Sequence, residues 1–306
     1  MKILKIIFIG LFTASLFLHP ENSWAQDKIR IVATTSVFAD ITKNIVGDFG
    51  DIYYVASPKR DIHFISPTPK DVLKVKKADV LIHAGLDLEA WRNPLLDAAG
   101  DAKFLGEGQA AIDCSKGIEL LEVPSSVSRA EGDIHLFGNP HYWVSPENAA
   151  IIAGNIANRF SELYPEKTDR FKTNADAFKA KLEEKAKGWK TEMSPYRGQT
   201  IITYHRNWTY FAKYFGLSIA DQIEPKPGIP PTAKHISMLI QKIKEQKIRV
   251  IIRESYQEDR TPAKLARETG AKVVTLTQSV GEFKEAGDYF SMIDYDVKKI
   301  TEALHE

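Results

Sequence analysis

Two hydrophobic periodicities alternate along the chain from residue 29 onward. Short β-rich runs such as Ile29–Ala33 are separated by amphipathic stretches of ten to fifteen residues such as Ser36–Val46. Strands that alternate with helices of this length form βαβ units with parallel strands. The alternation restarts at residues 200–203 and continues to a last helix at about 289–304. The pattern therefore predicts an α/β protein with two lobes, each built on a mainly parallel sheet.

A single long helix is predicted between the two lobes. Its apolar residues recur every three or four positions, as an amphipathic helix requires: Phe171, Ala175, Phe178, Leu182, Ala186, Trp189 and Met193. At 1.5 Å per residue this stripe is about 35 Å long. We therefore expect a signal peptide at 1–25, an N-terminal lobe at 26–166, a linking helix at 167–194 and a C-terminal lobe at 195–306.

The first 25 residues have the pattern of a secretory signal. Lys2 and Lys5 precede an apolar run at 6–18, and Ser23 and Ala25 are the small residues that a signal peptidase accepts. The run is short for a transmembrane helix. No cysteine lies at the expected cleavage point, so we expect a periplasmic protein without a lipid anchor.

The composition limits the kinds of ligand and metal site that the chain can form. The 306 residues include 41 basic and 40 acidic side chains, for a formal charge of +1, and this balance does not favour nucleic-acid binding. The only cysteine, Cys114, cannot form an internal disulfide, and there is no CxxC pair. A metal site would have to use histidine and carboxylate side chains. The role of Cys114 stays open, and we expect a monomer.

Three histidines lie where loops lead into helices. His63 precedes a Pro-Thr-Pro helix start, His141 precedes Ser145-Pro146, and His205 follows the first strand of the second lobe. Parallel sheets bind ligands beyond the carboxyl ends of their strands, so these imidazoles are expected in the cleft between the lobes. Three imidazoles completed by a carboxylate or water suit tetrahedral Zn²⁺. No local motif pairs them, so an ordinary surface or core role is the alternative for each.

Three of the remaining histidines favour other roles. His83 lies inside a predicted strand, which favours packing, and His235 lies on the polar side of a predicted helix, which favours exposure. His135 lies in a polar loop at 124–135. It is expected to be solvated, although the loop could bring it to a metal.

Several segments resemble those of one known family, the periplasmic zinc and manganese binding proteins of ABC transporters. They are Val32 to Ile41, Asp61-Ile-His-Phe-Ile-Ser-Pro-Thr-Pro69, Ala78 to Trp91, Asn139-Pro-His-Tyr-Trp-Val-Ser-Pro-Glu-Asn148, Tyr204 to Leu217 and Gly287-Asp-Tyr-Phe290. The resemblance implies two lobes joined by one long helix and metal ligation by His63, His141 and His205. It also implies high-affinity capture of a divalent metal and delivery to an inner-membrane ABC permease, without enzymatic activity.

The chain departs from the family pattern at the usual fourth ligand. Where the family has an aspartate, this sequence has Gln278, whose neutral amide is a weak ligand for Zn²⁺. Glu254, at the end of a predicted strand, is the expected replacement, and helix capping or pairing with an arginine is its alternative role. Glu224, His135, Gln278 itself and water are the other candidates.

The imidazole-rich ligand set favours zinc over manganese, which prefers more carboxylate. The loop at 124–135 has a single histidine, whereas many zinc members have a loop rich in histidine and acid; metal delivery by a separate metallochaperone would compensate. The alternatives are a zinc-dependent hydrolase, which would need an open coordination position, and an adhesin or metal chaperone. No HExxH or GxSxG motif supports a hydrolase.

Overall fold

The computed structural model describes residues 28–100, 102–105, 110–124, 135–226 and 228–305. The predicted signal peptide at 1–25 and most of the loop at 124–135 lie outside these residues. Eight strands form within the described part: β1 (Ile29–Ala33), β2 (Gly50–Tyr54), β3 (Val80–His83), β4 (Ala111–Asp113), β5 (Thr200–Thr203), β6 (Ser218–Gln222), β7 (Val250–Arg253) and β8 (Lys272–Thr275).

The strands form two four-stranded sheets of the same topology. The orders are β2-β1-β3-β4 and β6-β5-β7-β8, and every pairing is parallel. Of the four central strands, β3, β5 and β7 are almost wholly buried and β1 exposes only Arg30, as expected for sheets covered on both faces. The predicted fold class, two α/β lobes with parallel sheets, is confirmed.

Helices cover both sheets and connect the lobes. In the described residues they are α1 (Ser36–Val46), α2 (Pro69–Lys77), α3 (Arg92–Ala99), α4 (Pro146–Leu163), α5 (Thr168–Met193), α6 (Thr209–Phe215), α7 (Ala233–Glu245), α8 (Arg260–Thr269) and α9 (Tyr289–His305). Among these helices, none is both long and apolar enough to cross a membrane.

Helix α5 is the predicted linking helix, and its apolar stripe is the reason for its position. Phe171 is fully buried and packs edge-on against Phe160 of α4, while Phe178 packs against Phe290 of α9. Helix α9 also contacts α1 of the first lobe, and the backbone amide of Tyr289 donates to an Asp40 carboxylate oxygen over 2.9 Å. Helices of both lobes therefore pack against α5. The expected domain boundaries at 26, 167 and 195 stay predictions.

Helix α3 begins at Arg92, later than the residue-86 start that the apolar pattern predicts. Leu86 and Asp87 have positive φ angles, which a helix excludes. The Glu89 carboxylate accepts hydrogen bonds from the Ala84 amide and the Thr34 hydroxyl, at 2.7 and 2.6 Å. This buried acceptor stabilises a turn where periodicity alone predicts a helix.

Candidate metal centre

His63 is held by the residue that starts its own turn. It lies in a 3₁₀ turn, Ile62–Phe64, whose N-cap is Asp61. One Asp61 carboxylate oxygen accepts from the His63 amide at 3.0 Å and lies 2.7 Å from its Nδ1. The Trp91 indole donates to the Ile62 carbonyl over 2.7 Å, which fixes the turn on the first lobe. The Nε2 of His63 is therefore the nitrogen that faces the cleft.

His141 is held by side chains of both lobes. The Asn139 amide oxygen accepts from the His141 backbone N–H over 2.9 Å, and the Gln278 amide oxygen lies 3.1 Å from His141 Nδ1. The ring is buried, and its Nε2 has no hydrogen-bond partner among the described residues. A buried nitrogen without a partner is costly in a folded protein unless a ligand satisfies it.

His205 follows β5 and precedes a 3₁₀ turn, Arg206–Trp208. Its Nδ1 is in close contact with a Glu224 carboxylate oxygen, and the other Glu224 oxygen accepts from the Gly228 amide over 2.8 Å. Glu224 thus orients the ring of His205 instead of pointing freely into the cleft.

The imidazoles converge in the cleft. The ring centroid of His63 lies 5.0 Å from that of His141 and 5.4 Å from that of His205, and the last two rings are 5.7 Å apart. The ring of His135 lies 5.1 Å from that of His63, and their Nε2 atoms are 3.1 Å apart. Two ligands of tetrahedral zinc, each about 2.0–2.1 Å from the ion, are separated by about 3.3 Å. This spacing matches a shared ion.

The ligand atoms of His63, His135 and His141 all lie within 4.8 Å of one another, in a group that could hold a metal ion. His205 lies beside this group. His135 was expected to be solvated, whereas its ring lies in the cluster. Its position six residues before His141 is no ligand motif, so the sequence alone did not favour this placement.

Burial keeps two of these rings neutral. It lowers the pKa of His141 well below its ordinary value, with smaller contributions from His63 and His205. Burial, followed by the same two neighbours, lowers the pKa of His135 to about 3. A neutral imidazole has a free lone pair, which is the form that binds metal.

The two candidate residues of the second lobe differ in what they contact. Gln278, after β8, touches His141 through its side chain and accepts from the Trp143 indole through its backbone carbonyl at 2.9 Å. Glu254, after β7, is fully buried beneath the His205 turn, where its Oε1 accepts from Trp208 Nε1 at 2.6 Å and Asn207 Nδ2 at 2.9 Å. Its Oε2 has no partner among the described residues. Metal ligation by Glu254 stays a prediction.

His83 and His235 lie apart from this group. His83 is buried at the end of β3, as expected. His235 is partly buried, unlike the exposed residue that was predicted, because its Nε2 lies 2.9 Å from the Gln222 carbonyl.

Two parallel-sheet lobes joined by a long helix, with imidazoles gathered between them, define the class of metal-binding receptors that serve ABC transporters. The model of the family described as the periplasmic component A of the zinc-uptake complex matches residues 31–303. The chain belongs to this family of metal ABC transporter substrate-binding proteins.

Individual relatives match along nearly the whole chain. The metal ABC transporter substrate-binding lipoprotein ScbA of Streptococcus cristatus is 30% identical over 311 residues, which cover 99% of this chain and 97% of ScbA. The manganese ABC transporter substrate-binding lipoprotein PsaA of Streptococcus mitis is 29% identical over 318 residues and 99% of both chains. A crystal structure of ZnuA superposes with a TM-score of 0.76 at 25% identity, covering 90% of this chain and 99% of ZnuA.

These relatives correct one expectation. The chain was expected to have no lipid anchor, because no cysteine lies near residue 25. ScbA and PsaA are named lipoproteins and align with 99% of this chain, so the expectation is wrong. The absence of a cysteine near residue 25 of the given sequence was not sufficient ground for that expectation.

The buried position of Glu254 predicts a pH effect on the metal-free protein. Burial raises the pKa of Glu254 from 4.5 to about 8, so between these pH values the folded state holds a proton that the unfolded state releases. The free energy of unfolding should therefore fall as pH rises through this range, by up to about 1.4 kcal/mol per pH unit from this group. Glu254→Gln keeps an acceptor for Trp208 and Asn207 without titrating.

Urea unfolding of the metal-free wild type and of Glu254→Gln across this pH range measures the effect. The wild type should lose stability relative to the variant as pH rises. Parallel stability curves for the two proteins would contradict the prediction.

Proposed function

We propose that this protein captures Zn²⁺ with His63, His135, His141 and His205 and delivers it to an ABC importer. The observation that carries the proposal is the 3.1 Å separation of the Nε2 atoms of His63 and His135 beside the unpartnered Nε2 of His141. The Nδ1 atoms of His63, His141 and His205 each face an oxygen of another side chain. Nδ1–H donation to these oxygens would leave each Nε2 lone pair for the ion.

Two carboxylates in the outer shell support this assignment. Asp61 and Glu224 contact the Nδ1 atoms of His63 and His205, and carboxylate–histidine pairs of this kind raise the basicity of a metal-bound imidazole. Together they offset both charges of Zn²⁺ without touching the ion. Gln278 can then act as the neutral partner of His141 instead of as a ligand, and the family's aspartate is not needed in this position.

The ligand chemistry favours zinc. Imidazole nitrogen suits Zn²⁺, whereas Mn²⁺ prefers carboxylate and water oxygen. The family model is named for zinc uptake and PsaA of Streptococcus mitis is named for manganese. Similarity to these relatives therefore does not decide between zinc and manganese. The proposal of zinc relies on the four nitrogen ligands.

A binding protein is favoured over a hydrolase by the same ligand count. Catalytic zinc keeps a position open for water or substrate, and a fourth imidazole would close the shell. The partner implied by this function is an inner-membrane permease, with a separate metallochaperone as a second candidate. Binding by a monomer is proposed.

Removal of any one of three histidines should abolish tight binding. Zinc titration of the metal-free protein against a competing chromophoric chelator should give one ion per chain. His63→Ala, His141→Ala and His205→Ala should each weaken binding by about 10²-fold or more, because each removes a ligand. His235→Ala is the matched control and should bind as the wild type does. Wild-type affinity in all three variants would refute the site.

The fourth ligand is decided by two substitutions. His135→Ala should weaken zinc by about 10- to 100-fold, since water would replace an imidazole. Glu254→Gln should leave the affinity within about threefold, because both hydrogen bonds to its Oε1 are kept. The opposite result, a large loss in Glu254→Gln and none in His135→Ala, would return the fourth position to Glu254.

Metal selectivity provides an independent measurement. When zinc-loaded protein is dialysed against equal concentrations of Zn²⁺ and Mn²⁺, metal analysis should find zinc in nearly every site. His135→Asp, which introduces a carboxylate, should shift the ratio toward manganese. Displacement of zinc from the wild type by an equal concentration of Mn²⁺ would show that the nitrogen ligand set has been assigned wrongly.

A further inference from the structure

A second polar cavity lies in the first lobe and shares no lining residue with the histidine cluster. Its volume is about 510 Å³, and it is lined by His83, Arg92, Ala111, Ile112, Asp113, Lys116, Asn155, Asn158, Arg159 and Glu162. His83 and Asp113 are paired positions at the ends of β3 and β4. The cavity thus lies at the carboxyl ends of two parallel strands, where α/β sheets bind ligands.

Two buried nitrogen atoms of this cavity's residues lack hydrogen-bond partners in the described part of the chain. They are Nδ1 of His83 and Nη1 of Arg92. His83 is only 6% exposed, so bulk water does not solvate its ring. A buried guanidinium N–H without an acceptor costs more than a neutral group does, because it is charged. Arg92 therefore lacks an acceptor and His83 Nδ1 lacks a hydrogen-bond partner, and a ligand could supply both.

The acidic residues of the cavity are engaged elsewhere. Asp113 Oδ1 accepts from the amide and the hydroxyl of Ser115, at 2.8 and 2.7 Å. Glu162 forms an ion pair with Arg159. Asp87 and Glu89 both interact with the charge of Arg92, but burial raises the pKa of each, and Glu89 Oε1 already accepts from Thr34 and Ala84.

The positive charges nearest His83 favour an anion over a cation as the ligand. Burial, followed by the nearby charge of Arg92, lowers the pKa of His83 to about 4, so the ring is neutral at pH 7 and can donate one N–H. The charge of Asp113 acts in the opposite direction at this ring, and Lys116 adds a further positive charge. A metal ion here would face Arg92 and Lys116, whereas an anion would be attracted by both.

We propose that this cavity binds a small oxyanion, a carboxylate or a phosphate, between Arg92 and His83. The guanidinium is suited to two parallel hydrogen bonds to such a group. Nδ1–H of His83 would donate a third, and exposed Lys116 would add attraction at the entrance. A water molecule could fill the same space, but it would not offset the charge of Arg92.

Calorimetric titration of the zinc-loaded full chain with inorganic phosphate and, separately, with succinate tests the proposal and distinguishes the two sources of oxyanion. At least one should bind saturably with one site per chain. Arg92→Gln and His83→Phe should each weaken that binding by about tenfold or more. Arg170→Gln, which removes the same charge from an exposed position on α5, should bind as the wild type does, and zinc affinity should be unchanged in all three variants.

The NMR signals of the imidazole nitrogens of wild-type His83 provide a readout that needs no variant. They should shift in proportion to the occupancy of the site, which keeps the test decisive even where a variant fails to fold. No saturable binding of either anion up to about 10 mM, or equal binding by Arg92→Gln and wild type, would overturn the proposal. So would binding that leaves the His83 signals unmoved.

Discussion

The arrangement of the cleft depends on which nitrogen each imidazole presents. A histidine ring can offer Nδ1 or Nε2, and four rings can share one ion only if their lone pairs converge. For His63, His141 and His205 the Nδ1 atom is engaged by Asp61, Gln278 and Glu224. These outer contacts leave Nε2 facing inward on every one of the three. The proposed metal site is therefore determined as much by the partners of the rings as by the rings themselves.

The carboxylates nearest the proposed metal site contact the imidazoles and not the ion itself, unlike the aspartate ligand of the family pattern. Gln278 stands where an aspartate ligand is usual, yet two carboxylates, Asp61 and Glu224, lie directly behind imidazoles. Charge in the outer shell still attracts a dication, but it leaves the direct contacts to nitrogen. This distribution is the physical basis on which we favour zinc, and it gives Glu254 a structural role as the buried acceptor for Trp208 and Asn207.

Asn139 connects the ligand-bearing segments of the two lobes. Its amide oxygen accepts from the backbone of His141, and its amide nitrogen donates to the carbonyl of Arg206, next to His205, over 2.7 Å. The Trp143 indole, donating to the Gln278 carbonyl, adds a second connection. These hydrogen bonds join the segments that carry His141 and His205, which suits capture of one ion between the lobes.

Periodicity in the sequence was sufficient for the sheets, the linking helix and the positions of His63, His141 and His205 at loop ends, because burial acts residue by residue and leaves a local pattern. The edge strands β4 and β6 were missed, since β4 has only three residues and β6, Ser-Ile-Ala-Asp-Gln, is mostly polar and only partly buried. The gathering of His135 with the other imidazoles, and the contact of Gln278 with His141, were decided only by tertiary structure. His141 and Gln278 are 137 residues apart, and no local pattern records a hydrogen bond between segments that meet only when both lobes have packed on the same helix.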